Sequence, residues 1–219
     1  MKEVDDQLLS SKKRFEELAL VNEEQDKRIH ILEIQEKSES FMKQKNYPRA
    51  LEYITIGLGL SDNDSTLLEM KAYCLMKLGR LSEATIALEN SLAHDPNNIS
   101  IISNLIEIYM LTEKRESAHL LMKTHSARLL ERNGPYLDWY LSALEYFMYE
   151  NETKLKEFLA NQPVDAPESQ APRIKAWDYS EALTVINGLS TKPGYKAIIS
   201  AISFLAGNIT SEDLKKAIA

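Results

Sequence analysis

Apolar positions recur at three- and four-residue steps along most of the chain, the period of helices with one buried face. The clearest run is "KAYCLMKLGRLSEATIALENSLAHDPNN", Lys71 to Asn98. It reads as a helix, a turn marked by Gly79, a second helix, and a stop at Asp95-Pro96, where proline cannot continue a helix. The pattern predicts an all-α chain built from helical hairpins.

The hairpin recurs. Steps of 34 residues from Ala84 reach Ala50 in one direction and Ala118 in the other. Three units follow: Ile31–Asp64, Ser65–Asn98 and Ile99–Arg132. Ile34, Leu68 and Ile102 share a register, as do Phe41, Leu75 and Tyr109, and Ile54, Leu88 and Met122. Gly57 and Ser91 share another, which His125 breaks in the third unit. A small residue is needed where two antiparallel helices approach closely, and larger apolar residues fill the seam around it.

The flanks differ from the units. Asn133–Pro163 reads as a fourth hairpin, opened by Asn133-Gly134-Pro135 and rich in aromatics from Tyr136 to Tyr149. "NQPVDAPESQAP", Asn161 to Pro172, is a polar, Pro-rich linker. Beyond it come two apolar-faced helices and a short terminal one, with Thr210 or Ser211 as its N-cap. This segment predicts a cap over the last hairpin or a small docking module. Before the units, Val4, Leu8, Ser11, Phe15, Leu18, Asn22, Gln25, Ile29 and Leu32 form a heptad seam with Asn22 at an a-like position. Such a seam predicts self-association through Leu8, Phe15, Leu18, Asn22 and Ile29, or an amphipathic helix folded back on the units. The expected organisation is 1–30 N-terminal heptad helix, 31–163 helical repeats, and 164–219 linker and capping helices.

Charge and composition narrow the partners. A net charge of -7 argues against binding nucleic acid through its phosphates and favours a partner with a basic segment. No run approaches the roughly 18 apolar residues of a membrane span. The N-terminus shows no secretory apolar core, and the single Cys74 suits a reducing compartment, so a cytoplasmic location is expected.

The titratable residues do not point to catalysis. His30, His94, His119 and His125 are not spaced as metal ligands, and no phosphate-binding, dinucleotide-binding or serine-nucleophile motif occurs. Cys74 lies among Tyr73, Leu75 and Met76, as a core residue would. The expectation is no enzyme, no cofactor and no metal.

"KLGRLSEATIALENSLAHDPNN", "KNYPRALEYITIGL" and, more weakly, "LTEKRESAHLLM" together resemble the tetratricopeptide repeat (TPR) family. The resemblance covers Ile31 to Arg132 and implies a TPR-type right-handed solenoid of three clear hairpins plus a degenerate fourth. It further implies that first helices line a concave groove, mapping here to Gln35, Glu39, Glu69, Tyr73, Met76, Ser103, Glu107 and Met110. This lane is acidic and soft-apolar, suited to a protein or peptide with a basic segment. The Lys, Asn and Arg clamp by which some members hold a chaperone's C-terminal carboxylate is absent, Asn104 being its only suggestive residue. The implied role is a non-enzymatic adaptor or scaffold, of which a secretion or assembly chaperone is one form. The alternative is a regulatory sensor subunit that binds a short peptide or small ligand.

Overall fold

The computed structural model describes residues 2–163 and 178–219, with backbone only for residues 2–11, 132 and 133. The expected seam side chains Val4, Leu8 and Ser11, and the Pro-rich linker from residue 164 onward, lie outside the described side chains. The described residues are helical and contain no strand. In chain order the helices are α1 (Lys2–Lys43), α2 (Tyr47–Leu60), α3 (Ser65–Lys77), α4 (Leu81–His94), α5 (Ile99–Leu111), α6 (Arg115–Tyr149), α7 (Glu152–Ala160), α8 (Ser180–Gly188), α9 (Tyr195–Leu205) and α10 (Ser211–Ile218). The closest helix pairs are α1 with α2, α3 with α4, and α5 with α6, and each pair stacks on the next through α2–α3 and α4–α5.

The 34-residue step is written in the backbone as well as in the side chains. Lys45, Gly79 and Glu113 stand one step apart, and each has positive φ, at 58°, 72° and 63°. In each turn the amide three residues after the helix end reaches back to the helix's last turn. Asn46 donates to Phe41 O at 2.9 Å, Arg80 to Leu75 O at 2.9 Å and Lys114 to Tyr109 O at 2.8 Å. A left-handed residue with this returning hydrogen bond is how a helix satisfies its terminal carbonyls. The same step joins the caps of the next helices: the Asp64 side chain accepts from Leu67 N, and the Asn98 side chain from Ser100 N and Ile101 N.

Only the middle turn has the residue that this geometry favours. A Cβ in the left-handed region costs on the order of 1 kcal/mol, which Gly79 avoids and Lys45 and Glu113 do not. Glu113→Gly is therefore expected to stabilise the chain by about 0.5–1 kcal/mol. A denaturant titration in which Glu113→Gly is no more stable than the wild type would contradict this.

Small residues sit where the seams close. Ala50, Ala84 and Ala118 are each 0% exposed. At the next shared register the units diverge. A Cβ built on Gly57 would lie 2.7 Å from Leu67 Cδ1, so only glycine fits without movement. Ser91 has room for its hydroxyl, which donates to Ser65 O at 2.9 Å.

One helix, α1, runs through the expected 30/31 boundary, and what changes there is packing. Residues 12–30 are exposed along their whole length, whereas Ile31, Ile34 and Ser38 are buried against the first hairpin. Asn133-Gly134-Pro135 breaks the helix as its residues predict: Gly134 has non-helical φ 65° and ψ -173°, and α6 consists of two helical segments joined across that kink. Proline at the start of the continuing segment removes an amide that has no partner there anyway.

Past the kink, α6 packs on α7 and α9, and α10 closes over α7 and α9. Trp139 lies between Phe158 and Phe204, with ring centroids 6.5 and 5.9 Å away. Most of the aromatic stretch is core: Tyr136, Trp139, Tyr140 and Phe147 are buried. Thr210 caps α10 in a reciprocal box with Asp213.

Candidate functional site

The site is built on α3 and α5, the first helices of the second and third hairpins. It is floored by α6 beyond its kink and closed by the segment that leads into α8. Together they enclose a cavity of about 300 Å³ lined by Tyr73, Met76, Lys77, Ser100, Ser103, Asn104, Glu107, Leu137, Tyr140, Asp178, Tyr179 and Glu181. Helical spacing explains the α5 contribution. Ser100, Ser103, Asn104 and Glu107 follow the i, i+3, i+4, i+7 rule and so share one face. That face is polar, while the rest of α5 is fully packed.

Lys77 ends α3 and anchors the cover. Its side chain is only 5% exposed, and its ammonium lies 2.5 Å from Asp178 and 2.6 Å from Glu181. It also donates to Ser180 Oγ at 2.9 Å and sits 4.9 Å from the centre of the Tyr73 ring. Burial presses the ammonium toward neutrality. The hydrogen bonds to the two carboxylates outweigh that and hold its pKa above the ordinary value. The Glu181 side chain is equally enclosed, at 5% exposure, whereas Asp178 is half-exposed at 49%. Tyr179 is buried and meets Tyr140 edge-on, with centroids 5.4 Å apart.

Glu107 lies deeper. Its Oε1 accepts a 2.7 Å hydrogen bond from the Tyr140 hydroxyl. Among the described residues no Lys, Arg or His forms an ion pair with it. Burial raises its pKa to about 7. The Tyr140 hydrogen bond pulls the other way, and the negative charge of Glu181 adds to the rise.

The expected groove residues divide into four groups. Tyr73, Met76, Ser103 and Glu107 line the cavity. Glu69 stands at its edge and accepts from Ser100 Oγ at 2.7 Å. Gln35 and Glu39 lie on α1, away from it: Gln35 donates to Asp64 Oδ1 at 3.3 Å, and exposed Glu39 pairs with Lys43 at 3.7 Å. Met110 shares the register of Ser103 and Glu107, but it is 0% exposed and belongs to the core, outside the cavity lining. Of the expected self-association residues, Phe15, Leu18 and Ile29 are 74%, 58% and 55% exposed, Asn22 is exposed, and Leu8 lies outside the described side chains.

Sequence reasoning missed Lys77, Tyr140, Asp178, Tyr179 and Glu181 as site residues. Lys77 carries no local sign of burial, and its two acidic partners stand about a hundred positions away. Tyr140 was visible only as part of an aromatic run.

The remaining chemistry is limited. The buried Cys74 thiol is pushed up to about 11 by burial, which leaves no thiolate at neutral pH. Among the described residues, no three His, Cys, Asp or Glu side chains converge as a metal-ligand set. No described helix is long and apolar enough to cross a membrane.

No family model matches the chain, and neither the curated proteins nor the solved structures contain a significant match to it. The fold itself defines the class: an all-α chain of stacked helical hairpins with a 34-residue structural repeat.

Proposed function

We propose that this chain is a non-enzymatic adaptor of the tetratricopeptide-repeat type that binds an extended or helical protein segment along the face formed by α3 and α5. The observation that carries the reading is the polar, partly accessible face of α5, Ser100 to Glu107, on a helix whose other faces are packed. A core-only helix has no use for such a stripe. A rigid stack of hairpins also pre-organises several weak contacts, which lowers the ordering cost of binding. Glu69 and Glu107 make the stripe acidic, so the favoured partner carries a basic segment. A secretion or assembly chaperone is one form such an adaptor takes.

The test is selection of peptides from a random display library on the folded chain. Selected peptides should be enriched in Lys and Arg. Glu69→Lys should weaken them by about tenfold at low salt without changing the helical melt. Peptides that bind Glu69→Lys as well as wild type would remove this surface from consideration.

The cavity supports a second reading, a regulatory sensor that takes a small ligand beneath the α8 cover. Thermal stabilisation by a small molecule, without any selectable peptide, would favour it.

The N-terminal half of α1 adds self-association to either reading. Its exposed Phe15, Leu18, Ile29 and Leu32 follow the seam, and Asn22 on the same line favours pairing with a second copy in register. Sedimentation of the full-length chain is expected to show a dimer, and of a chain lacking residues 1–30 a monomer. A full-length monomer at high concentration refutes the arm's role.

A further inference from the structure

We propose that the cavity between α3, α5, α6 and the α8 cover is a receptor for one ammonium group, the side-chain head of a lysine in the bound partner, with Glu107 as its counter-ion. The source of the lysine rests on the adaptor reading; the cavity's preference for an ammonium does not.

The first argument is charge. Four ionisable side chains of ordinary strong charge line this space, one positive and three negative: Lys77, Glu107, Asp178 and Glu181. Lys77 is spent on Asp178 and Glu181, at 2.5 and 2.6 Å. Glu107 is left with a hydroxyl alone, the 2.7 Å bond from Tyr140. A carboxylate taken out of water without a cation is costly, and it either protonates or recruits one. Its raised pKa, about 7, is the first response. A cationic ligand provides the second.

The second argument is shape and wall chemistry. The space of about 300 Å³ is bounded by Tyr73, Tyr140 and Tyr179, whose ring faces attract cations, and by Met76 and Leu137, which suit an alkyl stem. The cavity already holds one ammonium by these means, since Lys77 combines two carboxylates with the Tyr73 ring at 4.9 Å. Ser103 and Asn104, on the same face as Glu107, add oxygen acceptors.

The third argument separates lysine from arginine. Glu107 Oε1 is occupied by Tyr140, which leaves one oxygen for the ligand. A guanidinium is held best by a fork of two parallel bonds, whereas an ammonium is a point charge that one carboxylate oxygen and neighbouring neutral acceptors can satisfy. The occupied oxygen therefore favours the ammonium.

Binding requires the ionised carboxylate. The groups that face it are Lys77 and Tyr73 from α3, Tyr140 from α6, and Asp178, Tyr179 and Glu181 from the cover. Burial raises the Glu107 pKa to about 7, so affinity is expected to fall as the pH drops through that value.

The probe is Nα-acetyl-lysine methylamide, with the neutral norleucine analogue as control, titrated into the full chain while the ring resonances of Tyr140 and Tyr179 are followed by NMR. The lysine compound should shift both rings and the norleucine compound neither. The shift should weaken by about tenfold or more in Glu107→Gln, which keeps an oxygen for the Tyr140 hydroxyl. Lowering the pH from about 8 to about 6 should weaken wild-type binding in the same direction, an arm that needs no variant. Equal shifts from both compounds, equal binding by Glu107→Gln, or no shift at all would each overturn the ammonium site. Those results leave the adaptor reading standing if library peptides still select the α3–α5 face. Loss of such peptides with the lysine shift intact would do the reverse.

Discussion

Replacing Lys77 with Met is expected to destabilise the chain by about 3 kcal/mol, the largest effect of any single substitution at the site. Methionine keeps the length of the side chain and most of its packing, so the loss reports the charge. Without the ammonium, Glu181 is an enclosed carboxylate with no cation, and removing one partner of a buried pair is far worse than removing both. Asp178 is half-exposed and contributes less. The loss should therefore be largely recovered in Lys77→Met/Glu181→Leu, which replaces the pair by apolar groups. Urea unfolding of the two single variants and the double variant measures this cycle. A Lys77→Met chain within about 1 kcal/mol of wild type would mean that the pair does not hold the cover in place. Because α8 touches the repeats through α3 and α5, the same variant should expose the buried Tyr179, which fluorescence quenching would report.

Glu107→Gln is expected to act in the opposite direction, and only above acidic pH. The Glu107 carboxyl rises from an ordinary 4.5 to about 7 on folding. Between those values the folded chain binds more protons than the unfolded one, so this group's contribution to stability is fully present below about 4.5 and is lost as the pH climbs through 7. Glutamine does not titrate. The variant should match wild type near pH 4.5 and exceed it near pH 8, by on the order of 2 kcal/mol after allowing for the solvent that reaches the cavity. Thermal melts at the two pH values decide it; a gain that does not grow with pH contradicts the assignment. A carboxylate kept at a cost in stability is what a binding site, not a core, retains. The same substitution should abolish the ammonium preference, so stability and affinity move in opposite directions.

The hairpins were legible in the sequence because their physics is local. Ala50, Ala84 and Ala118 mark close approaches, Asp64 and Asn98 cap helices, and Gly79 permits one left-handed turn, each within a few residues of its effect. The third turn was harder to read, since Glu113 occupies the left-handed position without being glycine, and only the returning Lys114 amide identifies the geometry. The kink at Gly134-Pro135 was visible as punctuation.

The candidate site was legible only in part. Tyr73, Met76, Ser103 and Glu107 were reached through the groove that the TPR resemblance implies, which also pointed to Met110, a core residue in the structure. Gln35 and Glu39 were implied in the same way but stand outside the cavity, which α3 and α5 of the second and third hairpins line.

What the sequence determined by itself was the helical class and the 34-residue step. These follow from periodicity and turn chemistry, both short-range. The tertiary structure alone decided that Asp178, Tyr179 and Glu181 come back over α3 and α5, and that Lys77 meets them. It also decided that Glu107, an ordinary glutamate on a helix face when read in sequence, is half-buried beside Tyr140 with no cation paired to it among the described residues. Burial and ion pairing between residues some hundred positions apart are properties of the packed chain, since desolvation depends on which distant segment arrives to exclude water.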